Sequence, residues 1–260
     1  MLYYEKKGSG PETLVLLHGF MENSSIWDDM ESHLSDDFKL IKIDLPGHGK
    51  SEKIADVQTM EIMAEKVLEV LEKENIGHFH LLGHSMGGYV SLAFAERWPE
   101  KLKSLTLFFS TFLADDEEKK EQRRKSYRII KDSFAHYARA GVPNLFNQNE
   151  RDILEGKIEK AMKIALSTDN LGALASVKGM VERSDRKDVM EKLESKILIL
   201  AGKHDNAVKT DQMMSNLPDR TNIKSYILDC GHNGHWEKPS ICAEIINTEL
   251  LHHLPKKFVL

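Results

Sequence analysis

Ser85 stands in the run Gly83-His84-Ser85-Met86-Gly87-Gly88, a G-x-S-x-G pattern between an apolar stretch, Phe79–Leu82, and a helix-period stretch, Met86–Trp98. A serine on so tight a strand-to-helix turn has its hydroxyl pushed clear of the backbone, and its neighbours must be small for the chain to turn so sharply. The start of the following helix also favours negative charge developing nearby. A serine hydroxyl is a poor nucleophile until a base takes its proton, and the base needs an acid to orient it. Asp205 follows the apolar run Lys196–Ala201 in Gly202-Lys203-His204-Asp205, and His232 follows Ser225–Leu228 in Asp229-Cys230-Gly231-His232. All three residues lie just past the ends of predicted strands, the edge at which parallel sheets bind ligands. The expected chemistry is acyl transfer to water: Ser85 attacks a carbonyl, His232 takes the hydroxyl proton, and Asp205 holds the imidazole tautomer.

Other reactive side chains have plainer readings. His232, His235 and Glu237 spell H-x-x-H-x-E, but no cysteine or further histidine at ligand spacing completes a metal site, so no metal is expected; His235 is the alternative base. His18 and His84 flank the reactive turns and are read as structural or pocket-lining, His18 being carried as a substrate-site candidate; His252 and His253 are expected in solvent. Asp44–Ser51 (DLPGHGKS) narrowly misses the phosphate-binding pattern G-x-x-x-x-G-K-[ST]. Asp44 would repel phosphate and Pro46 removes a backbone donor, so no nucleotide is expected. Cys230, two residues before His232, reads as an unreactive strand-end thiol, while Trp27 and Met86 read as pocket walls.

The elements that must position these groups follow from patterning. Thr13–Leu17, Phe38–Ile43, Phe79–Leu82, Leu102–Phe109, Lys196–Ala201 and Ser225–Leu228 are short apolar runs with Gly, Pro or Asp near their ends, and read as strands. Val57–Glu74, Met86–Trp98 and Ser240–Leu254 read as helices, the first carrying Met60, Met63, Ala64, Val67, Leu68 and Leu71 on one stripe. Strands alternating with helices predict an α/β fold, a mostly parallel central sheet with helices on both faces. Residues 115–191 interrupt the alternation with helical patterning alone. Asp115–Lys125 is almost wholly charged, then Tyr127, Ile129, Ile130, Phe134 and Tyr137 supply an apolar stripe. The expected organisation is a core of 1–114 and 192–260 with residues 115–191 as a helical insertion over one end of the sheet.

Composition narrows the classes. With 41% hydrophobic and 30% charged residues the 260-residue chain is globular rather than disordered. A formal net charge of -5 offers no global attraction to nucleic acid or to an anionic membrane. Two cysteines cannot build a disulfide framework, and neither a secretory leader nor a long apolar span is evident, so a cytoplasmic protein is expected. Nothing in the sequence specifies an oligomeric state.

The spaced motifs Leu17–Phe20 (LHGF), Asp44–Gly49 (DLPGHG), Gly83–Gly88 (GHSMGG), Gly202–Asp205 (GKHD) and Gly231–Pro239 (GHNGHWEKP) together resemble the α/β-hydrolase superfamily from about Leu14 to Leu254. The resemblance implies an oxyanion hole from the backbone N–H groups of Phe20 and Met86, a helical cap roofing the site, a small acyl substrate such as a carboxylic ester, and no cofactor. A serine nucleophile departs from the aspartate-type dehalogenases and epoxide hydrolases of that superfamily. A menaquinone-pathway lyase of the same fold would carry arginine where this chain has Tyr89, a residue placed here in the substrate site. Carbon–carbon bond hydrolases, and hydrolase-like signalling receptors, share the architecture and remain alternatives.

Overall fold

The computed structural model describes residues 1–251. Seven strands form one sheet: β1 (Tyr4–Lys7), β2 (Glu12–Leu17), β3 (Phe38–Ile43), β4 (Phe79–His84), β5 (Leu102–Phe108), β6 (Lys196–Gly202) and β7 (Ile223–Leu228). Ten α-helices accompany them among the described residues: α1 (Asp28–Glu31), α2 (Met60–Lys73), α3 (Met86–Arg97), α4 (Glu117–Gly141), α5 (Glu155–Leu166), α6 (Asn170–Glu182), α7 (Lys187–Lys192), α8 (Thr210–Ser215), α9 (Gly234–Glu237) and α10 (Pro239–Leu250). The α/β fold class expected from the alternation is present. The six expected strands are there with small shifts at their ends. The expected final helix ends at Leu250, Leu251 being extended, and the rest of that expectation, with His252 and His253, lies outside the described residues.

The strand order is β1-β3-β2-β4-β5-β6-β7, and every pairing is parallel except β1 with β3. Side chains alternate between faces along a strand, and two cores result. Val15, Leu17, Leu81, Leu105, Leu107 and Ile199 enter one core with Met63 and Val67 of α2 and Val90 and Phe94 of α3. Leu14, Leu16, Leu82, Phe108, Leu198 and Leu200 enter the other, with Ile246 and Leu250 of α10. Because both faces are covered, the central strands read as continuous apolar runs in the sequence. β1 escaped that reading: its sequence is Tyr-Glu-Lys-Lys, and as an edge strand it needs only one ladder partner and no two-sided apolar character.

The chain runs from β2 to β3 on one side and then to β4 on the other, so β2 and β4 form the topological switch of the sheet, with Leu17 beside Gly83. β6 and β7 likewise end together, with Gly202 beside Leu228. Between β5 and β6 the described chain is helical. Asp116 caps α4 by accepting from the Lys119 N–H at 2.8 Å, and the helical backbone breaks once, at Ser133. Ile130 of α4 is buried, whereas Ile129, expected on the same stripe, is exposed one position round the helix.

Candidate active site

At the end of β4 the backbone turns into α3 through Ser85, whose φ of 49° and ψ of -114° lie in a region that a residue with a Cβ rarely adopts. The turn is possible because its neighbours lack side chains. A Cβ on Gly83 would strike the Gly87 carbonyl, and one on Gly87 would strike the carbonyl oxygens of Leu17 and His18. The Ser85 N–H donates to the Phe108 carbonyl at 3.1 Å and its own carbonyl accepts from the Ser110 hydroxyl at 2.7 Å, tying the strained residue to β5 and the loop after it. The loop after β2 lies alongside: a Cβ on Gly19 would sit 3.2 Å from Ser85 Cβ.

Asp205 and His232 meet across the ends of β6 and β7. His232 Nδ1 lies 2.7 Å from Asp205 Oδ2, while Asp205 Oδ1 accepts the backbone N–H groups of Ala207 and Val208 at 2.7 and 2.9 Å. Both carboxylate oxygens are thus occupied and the orientation is fixed. Burial works to lower the His232 pKa, but the Asp205 charge and hydrogen bond outweigh it and the pKa stands above its ordinary value. The loop carrying the imidazole is pinned from the segment after α4, with the His232 N–H donating to the Leu145 carbonyl at 2.7 Å.

Ser85 and His232 border one cavity of about 150 Å³, whose other walls include Phe20, Tyr89, Tyr137 and Met180. Tyr137 of α4 meets the Phe20 ring edge-on at 6.4 Å, so α4 and the loop after β2 meet at the cavity that Ser85 borders. Met86 is the first residue of α3, where a helix provides no carbonyl for its N–H; its side chain, expected as a pocket wall, instead packs into the hydrophobic core and does not border the cavity. A second cavity of about 230 Å³ adjoins the first, the two sharing Tyr89, Lys119 and Ala207 as walls. The Arg183 guanidinium lies over the Tyr89 ring, 4.0 Å from its centroid.

Two expected substrate contacts are placed elsewhere. Trp27 does not border the cavity. It is wholly buried, with its ring edge-on to His84 and Phe108 and tilted against His235, because the short helical turn at Ser24–Trp27 aims it under the strand ends. His18 is also structural: Nδ1 lies 2.7 Å from the Gly19 carbonyl and Nε2 accepts the Leu45 N–H at 2.8 Å, tying the end of β2 to that of β3. His235 is not placed to serve as the base, since it is buried behind His84 and its pKa is driven well down by burial and by the neighbouring His84. Asp44 closes a turn, accepting the N–H groups of Ser24 and Lys50 at 2.7 and 2.8 Å. The Cys230 thiol is buried and its pKa is pushed far up by that burial.

One buried carboxylate, Glu22, escaped sequence reasoning, and a second, Glu237, was read only as part of H-x-x-H-x-E. Glu22 is buried; its Oε2 accepts the Gly19 N–H at 2.6 Å and lies 2.8 Å from His84 Nδ1, while His84 Nε2 lies 3.1 Å from the His232 carbonyl. Burial would raise the Glu22 pKa, yet the adjacent His84 outweighs it and holds the carboxyl at about 2. Glu237 Oε2 accepts the Gly231 and Asn147 N–H groups at 3.0 and 3.1 Å, holding the His232 loop to the segment between α4 and α5. Glu22 has no spacing signal beyond being an acid in a stretch that is otherwise to be buried, and the spacing that picks out Glu237 suggests a metal ligand rather than this brace.

Comparison with known proteins accords with this geometry. A family described as "alpha/beta hydrolase fold" matches residues 12–121. The structure of a thermophilic esterase from Thermogutta terrifontis superposes with a TM-score of 0.87 at 30% identity, covering 94% of this chain and 91% of that one. The 2-hydroxy-6-oxononadienedioate/2-hydroxy-6-oxononatrienedioate hydrolase of Escherichia coli is 25% identical across 94% of this chain and 89% of its own length. A 38% match to the dihydrolipoyllysine-residue acetyltransferase component of an acetoin cleaving system from Pseudomonas putida covers 44% of this chain and spans 30% of that protein. By its sheet, its strand-end turns and its near full-length likeness to a solved esterase, the chain belongs to the α/β-hydrolase superfamily.

Proposed function

We propose that the protein is a serine hydrolase that cleaves small carboxylic esters through an acyl-enzyme. The observation that carries the reading is Ser85, held at positive φ on the wall of the cavity that also admits His232, whose far nitrogen is bound by Asp205. Ser85 Oγ attacks the ester carbonyl as its proton passes to His232 Nε2, and Asp205 stabilises the imidazolium that forms. The N–H groups of Phe20 and Met86 receive the charge that develops on the carbonyl oxygen, where donors fixed in advance are worth most. The tetrahedral intermediate collapses, the alcohol leaves with the proton from His232, and water cleaves the acyl-enzyme by the same sequence. Residues 115–191 serve as the cap that shapes the acyl pocket. The reaction needs no metal or organic cofactor.

Purified protein should turn over p-nitrophenyl acetate and butyrate many times per molecule. Ser85→Ala should keep the circular dichroism spectrum and lose turnover by at least about 10³-fold; a variant that hydrolyses these esters at the wild-type rate removes the assignment. Carbon–carbon cleavage is a second reading, favoured by the likeness to the Escherichia coli dioate hydrolase. Turnover of a 2-hydroxy-6-oxo-dienoate faster than of any ester in an acyl-length panel would select it.

A further inference from the structure

Lys119 stands in the first turn of α4, where the helix dipole disfavours a cation. It is half-buried and borders both cavities. Along α4 as far as Arg128 the other cations have carboxylate partners: Lys120 with Glu117, Arg123 with Asp115, Arg124 and Lys125 with Glu121, and Arg128 with Asp132. The Lys119 ammonium has none among the described residues, and burial, followed by the nearby Arg123 charge, lowers its pKa. Its charge also bears on His232.

The inner wall is electrostatically incomplete. Asp115 alone serves both Arg123, at 2.6 Å, and Arg183, at 2.8 Å. Arg183 Nε is buried without a partner. The other acids nearby are committed or outside: Glu22 to His84, Asp116 to Lys209 at 2.9 Å, and Glu118 exposed on the rim. Three cations thus face one carboxylate a short distance from the reacting serine. A half-buried ammonium retained without a counter-ion costs stability. A ligand that brings its own carboxylate would recover that cost.

We infer that Lys119, with Arg123, forms a carboxylate-binding subsite, so that the preferred substrates are short esters whose acyl chain ends in a carboxylate. The inference rests on the hydrolase reading given above. The cavity holding Ser85 takes the ester carbonyl, and the wall it shares with the second cavity takes the distal charge. The volumes of about 150 and 230 Å³ suit an acyl group of a few carbons.

The test compares p-nitrophenyl hemiglutarate with p-nitrophenyl valerate, a neutral ester of the same chain length. The wild-type protein should favour the hemiglutarate in kcat/KM. Lys119→Gln should reduce the hemiglutarate-to-valerate ratio by about tenfold, equivalent to about 1.4 kcal/mol, chiefly through KM, and Lys119→Arg should restore it. An equal effect of Lys119→Gln on both esters, or a wild-type preference for valerate, overturns the proposal. Calorimetric titration of glutarate into Ser85→Ala, and into the same variant carrying Lys119→Gln, reads the subsite without turnover, so its outcome is separate from that of the esterase assay. Binding that Lys119→Gln and added salt both weaken supports the subsite. Binding that is absent, or indifferent to Lys119, overturns it even if esters are hydrolysed.

Discussion

In the proposed reaction Ser85 requires a neutral imidazole, and the pairing of His232 with Asp205 works against neutrality. The His232 pKa is raised, with the Asp205 charge and hydrogen bond overcoming burial, so the base becomes competent only as pH climbs past a value above the ordinary 6.5. The sequence alone points to a loss of activity below about pH 6, near the unperturbed histidine value; the structure moves that acid limb upward. Asp205→Asn removes the charge, so the limb of the kcat/KM profile should shift to lower pH while kcat falls by roughly 10⁴-fold. A limb that stays in place would show that Asp205 does not set the base. At this scale the meeting of the candidate residues was legible: Ser85, Asp205 and His232 each follow an apolar run at a strand end, and spacing alone exposes that. Trp27 and His18 were misplaced because both stand in turns, and the direction in which a turn aims a ring is set by packing against Phe108 or Leu45 rather than by local pattern.

Elements position the site through their ends. The tips of β2, β4 and β7 converge on the buried Glu22–His84 pair, which joins the Gly19 N–H to the His232 carbonyl. Breaking such a pair leaves an uncompensated buried charge, so Glu22→Gln should destabilise the protein by about 3–5 kcal/mol in urea unfolding. The sign of the pH dependence follows from the depressed Glu22 pKa of about 2. Its stabilisation is complete above the ordinary value of 4.5 and is lost as pH falls toward about 2. The gap between wild type and Glu22→Gln should therefore narrow over that interval; a gap independent of pH would contradict an ionised Glu22. The central strands and long helices were legible because burial on one or two faces writes a period into the sequence. β1 was not, since an edge strand with two lysines has no such period.

Across the whole molecule, the sheet brings together residues far apart in the chain at a single edge, and its switch between β2 and β4 sets the Phe20 loop beside Ser85. Alternation of strands with helices was enough to anticipate that architecture, and the motifs at strand ends were enough to anticipate the superfamily. The substrate was not legible. The cavity walls Lys119, Arg123, Tyr137 and Met180 come from the helices between β5 and β6, and how those helices lie over the sheet depends on contacts such as Tyr137 against Phe20. Among the described residues no helix is long and apolar enough to cross a membrane. The most direct measurement is labelling with a fluorophosphonate followed by peptide mass mapping. One adduct on Ser85 is expected in the wild-type protein, with labelling slowed by at least about 10²-fold in His232→Ala, because the serine then lacks its base. An adduct on another residue, or labelling of Ser85 at the same rate without His232, would contradict the account.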